Sequence, residues 1–345
     1  MHITSRHWGW LSLPVFMIGL SGCGDDADSA RGPQSARATT SETSSETGAR
    51  VVVSPDRARA EGVDAQDDPA SPSALPRSDE VAGWIKTRPV RTALADELDV
   101  LIADADRISR LKPYRIKLVA TCGYTHGDTT ADVVMVQTHT AEDAFGVFSV
   151  EAPYAMHSAA GGAMRADEGQ GQRRHAWKGR TYLRVDGDAS DAGRELLSRI
   201  LFALPDAERP PEAELFAAWD DVTPRRWVVR SAVSLVGLES TRSLTVPEHA
   251  DDLLGLTPDS LLVVAAYATP ASKSANTLWL VRYQSNAAAR KAYQRYRKHI
   301  DQAVDAASAE TMITEPKGRF LLGTWTAGAE SVAHYLPRIH ATLPG

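Results

Sequence analysis

The sequence predicts an α+β protein made of two tandem related domains, each a mainly antiparallel sheet with helices packed on one face. Three observations predict it. The stretch from Lys178-Gly179-Arg180 to Leu204-Pro205 returns without a gap as Lys317-Gly318-Arg319 to Leu343-Pro344, at an offset of 139 residues (317 less 178). Within it Leu183 matches Leu322, Leu197 matches Leu336, Arg199 matches Arg338, Ile200 matches Ile339 and Leu204 matches Leu343. Each copy reads as a turn, a short apolar strand, a loop and an amphipathic helix stopped by Leu-Pro. Strand-like runs also recur ahead of the repeat, at 114–124 and 133–138 in the first copy and at 261–267 and 277–283 in the second. Finally, 345 residues at 43% hydrophobic and 24% charged suit two globular domains of ordinary size.

The chain opens with Arg6 and an apolar run from Trp8 to Leu20. At 13 residues this run is too short to span a bilayer, which takes about 20, and reads as an export signal. It ends in Leu20-Ser21-Gly22-Cys23, which resembles the lipobox of bacterial lipoproteins. The resemblance implies that Cys23 becomes the acylated first residue of the mature chain. The membrane is then a partner through the lipid on Cys23, since several acyl chains anchor stably where one is marginal. Gly24 resembles the residue that permits transfer to the outer membrane, so its periplasmic face is favoured, with the cell surface and the inner membrane as alternatives. An ordinary cleaved signal followed by an incidental cysteine is the other reading.

From 24 to 80 the chain is rich in Ser, Thr, Ala, Gly, Pro, Asp and Arg, which predicts a disordered tether. The first domain then spans 81–206, a Pro- and Glu-rich linker 207–224, and the second domain 225–345. In the first, 84–91 suits a strand broken at Pro89, and apolar residues from Leu94 to Ile108 suit one helical face ended by Pro113. Strand 114–124 turns at Gly127-Asp128 into strand 133–138, and Thr140 with Asp143 caps a helix. A Gly-, Ala- and Ser-rich loop over 158–171 leads to the Lys-Gly-Arg hairpin. In the second, 226–230 is a strand, 233–256 resists assignment, and Asn286 opens a helix whose Ala292, Tyr293 and Tyr296 match Ala144, Phe145 and Phe148 at an offset of 148. Pro337 should kink the last helix.

Trp84, Thr140-Ala141-Glu142-Asp143-Ala144-Phe145-Gly146-Val147-Phe148-Ser149 and Trp177-Lys178-Gly179-Arg180 resemble a family of uncharacterised bacterial proteins known as the domain of unknown function 6599. The likeness would cover most of 81–345. It implies a fold and no known activity. Where family members carry an Asn-Gly-Ala-type patch in the first helix, this chain has Ile102-Ala103-Asp104-Ala105-Asp106.

Few residues offer chemistry. A net charge of −6 with scattered basic side chains leaves no footprint for nucleic acid. The two cysteines, Cys23 and Cys122, cannot form a disulfide framework. Cys122 and His126 are close enough in sequence to raise a thiol nucleophile, against the plainer reading of an inward-facing core cysteine. His126 and His139 are candidate ligand-binding residues that would approach across paired strands, with Asp128 beside them. Arg180 and Arg319 are candidate anion contacts that equally serve a hairpin turn. Asp186-Gly187-Asp188 lacks the later acidic ligands of a calcium loop. Trp177, Trp279 and Trp325 read as core. No catalytic residue, metal ligand set or cofactor motif is assigned. The expectation is an envelope lipoprotein serving as a binding or assembly module, with an envelope protein as a candidate partner. The alternative is an envelope hydrolase with its site at the junction of the repeats.

Overall fold

Pro89 lies within β1 (Ile85–Ala93), and the pairing of this strand with β2 (Ile116–His126) slips between Lys86 and Arg88 and again between Arg88 and Arg91, across the proline that has no N–H to give. The computed structural model describes residues 72–152, 156–159, 162–168, 172–187, 190–206, 208–216, 224–235, 246–247, 249–267, 276–302, 313–325 and 335–344. The expected signal, Cys23 and most of the expected tether lie outside them. Residues 72–80, which composition assigns to the tether, are packed: Leu75 is buried and Pro76 accepts a hydrogen bond from the Tyr124 hydroxyl at 2.9 Å.

After β1 come a 3-10 turn (Leu98–Val100) and α1 (Ala105–Leu111). The expected continuous helix from Leu94 is thus two short pieces. Asp104 adopts extended backbone and its carboxylate accepts from the Arg107 N–H at 3.0 Å, so it starts a new helix; Leu94 is left exposed. β2 turns at Gly127, in the left-handed region at φ 59°, into β3 (Thr129–Thr138). α2 (Ala141–Glu151) follows. The expected loop over 158–171 instead carries β4 (Met156–Ser158) and β5 (Met164–Glu168), which extend the sheet beyond β6 (Arg173–Lys178) and β7 (Thr181–Asp186). α3 (Asp191–Ala203) closes the copy. The sheet is antiparallel throughout, in the order β1-β2-β3-β7-β6-β5-β4.

The predicted linker is not free. α4 (Pro211–Glu214) buries Glu212 and Ala213, and Phe216 is fully buried. β8 (Arg225–Val229), a 3-10 turn (Ala232–Leu235), α5 (Ala250–Leu254), β9 (Leu261–Tyr267), β10 (Asn276–Arg282), α6 (Asn286–Gln302), β11 (Phe320–Thr324) and α7 (Tyr335–Thr342) make the second copy. Its sheet is antiparallel in the order β8-β9-β10-β11. Pro337 is the third residue of the described span of α7, where a missing N–H would have no partner within that span. The fold is therefore α+β with two antiparallel sheets.

Strand pairing aligns the copies residue by residue. Gln137 faces Thr181 as Arg282 faces Phe320, and the N–H groups of Thr138 and Tyr283 donate to the carbonyls of Arg180 and Arg319, both at 2.9 Å. Thr140 and Ser285 then cap α2 and α6 through the third N–H along. These caps set the helix offset at 145 (285 less 140), so Ala144 corresponds to Ala289 and the sequence match at 148 is corrected by three residues.

In the first sheet the helices are divided between the faces. α3 seals one with Leu196, Leu197, Ile200 and Leu201 against Cys122, Val133, Met135 and Leu183. α2 covers the other and also packs on β8 of the second sheet, so one apolar core runs through both copies. A helix covered from two sides must be apolar all round, and every residue of α2 from Asp143 to Val150 is buried. Burying Phe145 and Phe148 contributes roughly 1.5–3 kcal/mol each. Gly146 is required by this approach: a Cβ there would lie 2.7 Å from the Val228 carbonyl.

Candidate functional site

The sequence candidates scatter. Cys122 is buried, its thiol 3.4 Å from the Arg88 carbonyl. His126 lies four residues along the same strand, about 13 Å away at the usual rise, beyond hydrogen-bond reach. Its ring packs on Trp84 with centroids 5.4 Å apart. His126 and His139 do not approach: one is at the turn of the β2–β3 hairpin, the other just past the opposite end of β3. Asp186 is taken by Arg173 and Arg184, each at 2.9 Å, and Asp188 lies outside the described residues. Among the described residues no group of three His, Cys, Asp or Glu side chains is placed to hold a metal ion. Trp177 and Trp279 are fully buried, and Trp325 packs 5.8 Å from Trp279.

Arg180 and His139, by contrast, come together. Both line an open groove of about 700 Å³ formed by the start of β2, the end of β3, the Lys-Gly-Arg turn and the end of α3. Lys117 is the third basic residue on it, and Ala74, Ala203, Leu204 and Pro205 supply apolar wall. Asp206 also lies there, but its carboxylate is held by Lys178 at 2.8 Å. The side chains of Lys117, His139 and Arg180 are exposed, and among the described residues none forms a hydrogen bond or ion pair.

The turn itself is structural in both copies. Gly179 and Gly318 are left-handed, at φ 59° and 57°. The Lys178 ammonium donates to the Leu201 carbonyl at 2.9 Å, and the Lys317 ammonium to the matching His340 carbonyl at 3.2 Å and to Ala341 at 2.9 Å. A lysine from the hairpin thus satisfies the free carbonyls ending α3 and α7, where the helix dipole favours a cation. A Cβ on Gly179 would sit 2.9 Å from the Pro205 carbonyl, which ties the Leu-Pro stop to the same turn.

A second polar concentration lies where α2 meets the other sheet. Asp143 is wholly buried and accepts from Arg115 at 2.9 Å, from Arg230 at 2.7 Å and from the Thr140 hydroxyl at 2.6 Å. Glu142 takes Arg230 at 3.1 Å and Arg282 at 2.8 Å, and Arg282 reaches Glu212 at 2.6 Å. Burial works against the charge of the Arg282 guanidinium, but Glu142 and Glu212 together outweigh it and hold the group above its ordinary range. Three guanidiniums and three carboxylates pair with one another here, and of the three carboxylates only Glu212 keeps a buried oxygen, Oε2, without a hydrogen bond. An open cavity of about 500 Å³ beside them is lined by Arg115, Arg230 and Asp251, whose carboxylate is held by Ser231 and the Ala232 N–H.

A third group surrounds His175 on β6. Burial lowers its pKa to about 4, against the opposing pull of Glu168, 3.4 Å from Nε2; Nδ1 pairs with the Tyr182 hydroxyl at 2.9 Å. Sequence reasoning missed this group, the seam network and the part played by Lys117, because each partner pair is joined only by strand pairing or packing.

No family model and no curated protein matches the chain. Among solved structures, the crystal form IV structure of TP0453 matches with a TM-score of 0.23 and 12% identity, over 76% of this chain and 94% of that one. So slight a likeness carries nothing about function.

Proposed function

We propose that the chain is a lipid-anchored binding module of the bacterial envelope, held at a membrane through Cys23 and working without catalysis. The observation that carries the binding part is the pairing of its charges. The buried charges of the seam neutralise one another, whereas the Lys117 ammonium and the Arg180 guanidinium of the groove, beside the His139 imidazole, have no partner in the described fold. Charges left unpaired beside an apolar wall serve recognition better than stability. Cys122, sealed in the core and far from His126, offers no nucleophile.

The anchoring part rests on Leu20-Ser21-Gly22-Cys23 after the apolar run, and the outer membrane's periplasmic face is the proposed location. Cys23→Ala tests it. Membrane fractionation should recover the variant in the soluble envelope fraction and the wild type with the membranes; a variant that stays with membranes sinks the anchor.

A further inference from the structure

The two copies provide an internal control for the groove. The Lys-Gly-Arg turn, the carbonyl of its arginine and the lysine on the helix end are the same in both, so the fold accounts for them. The groove's side chains are not the same. His139 corresponds to Gln284, which donates to Asp259, and Arg319 lies with its guanidinium 5.6 Å from the centre of the Phe320 ring. Lys117 has no counterpart. It occupies a bulge in β2, where pairing slips between Ile116 and Leu118, whereas β9 pairs with β10 without a shift. Bulges re-aim a side chain at the cost of a ladder bond. The second copy folds without this bulge, this imidazole or a free guanidinium, so the first copy does not need them to fold.

We infer that the groove of Lys117, His139 and Arg180 binds a phosphate monoester or diester, its charged group met by the Lys117 ammonium, the Arg180 guanidinium and an N–H of the His139 imidazole, and its organic part lying on Ala203, Leu204 and Pro205. Donors arriving from three elements suit a tetrahedral anion with several acceptor oxygens better than a planar carboxylate, and a guanidinium and an ammonium are the usual pair for phosphate. The groove, at about 700 Å³, has room for a small organic body beside the anion. This deepens the binding-module reading and rests on it. The same chemistry is offered by a soluble phosphate ester and by a phospholipid headgroup.

The test uses the full chain carrying Cys23→Ala, so that failure of anchoring does not disturb it. Calorimetric titration with phenyl phosphate should show saturable binding that weakens with added salt, and inorganic phosphate should bind more weakly for want of the apolar contact. The triple substitution Lys117→Gln, His139→Gln, Arg180→Gln should weaken phenyl phosphate on the order of 100-fold, each single one by about 5- to 10-fold. The melting temperature should stay unchanged, because none of the three side chains has a partner in the described fold. Flotation with phosphatidylglycerol and phosphatidylcholine vesicles separates the sources. Vesicle binding lost in the triple variant identifies a headgroup, and phenyl phosphate binding without vesicle binding identifies a soluble ester. Absence of both in the parent chain, or affinity equal in the parent and the triple variant, overturns the assignment.

Discussion

α2 and α6 follow equivalent strands, begin at equivalent caps and lead to equivalent hairpins, yet they live in opposite surroundings. α2 is buried from Asp143 to Val150 between two sheets, whereas α6 buries Ala289, Ala292 and Tyr296 and turns its arginines and lysines outward. The difference teaches that a duplicated frame stays intact when only its outward residues change. What changed is what lies on the other side: β8 packs on α2, and the carboxylates of its first turn became partners for guanidiniums of the second copy. The hairpins divide likewise, into a shared structural turn and a groove of basic side chains found in one copy.

The largest effect is expected at the seam. Asp143→Ala leaves Arg115 and Arg230 without their buried carboxylate and should cost about 3–5 kcal/mol in denaturant unfolding. The matching position in α6 is already Ala288, only partly buried, and Ala288→Ser should change stability by under about 0.5 kcal/mol. A mild Asp143→Ala would mean the seam network holds nothing together.

Next comes pH. His175 has a folded pKa of about 4, below its ordinary 6.5, so between these values the unfolded chain binds more protons. Stability should therefore be flat above pH 6.5 and fall as pH drops towards 4, by at most about 3 kcal/mol. Thr314 stands 139 residues on in the second copy, and His175→Thr should remove that part of the slope. An unaltered slope would place the titrating group elsewhere.

The smallest effects compare the two lysines. Lys178→Met should cost about 1–3 kcal/mol, because the ammonium is buried, caps α3 and holds Asp206. Lys317→Met, on a more exposed ammonium with the same capping role, should cost about 0.5–1 kcal/mol. Melting curves of both variants decide it; a reversed order would break the proposed equivalence of the hairpins.

Much of the fold was legible. The continuous apolar run of 261–267, the Gly127-Asp128 turn, the Thr140 cap and the Lys-Gly-Arg repeat all appear where local chemistry puts them. The strands β4 and β5 were not legible, because small and polar residues gain strand structure only by joining a sheet edge that already exists. The break at Asp104 was hidden by an apolar spacing that a single capping carboxylate overrides. Of the groove, Arg180 and His139 could be named in advance, but not that they share a site, and Lys117 carried no signal beyond its place in the strand expected over 114–124.

The amino-acid order by itself determined the α+β class, the duplication and the positions of turns and caps, because periodicity, glycine conformation and capping act within a few residues. Only the tertiary structure decided that α2 is a helix between two sheets, that six charges from both copies and the segment joining them close on one another, and that Lys117, His139 and Arg180 share a groove. Those arrangements depend on residues far apart in the chain meeting in space, and the energy of a buried charge depends on whether its partner arrives.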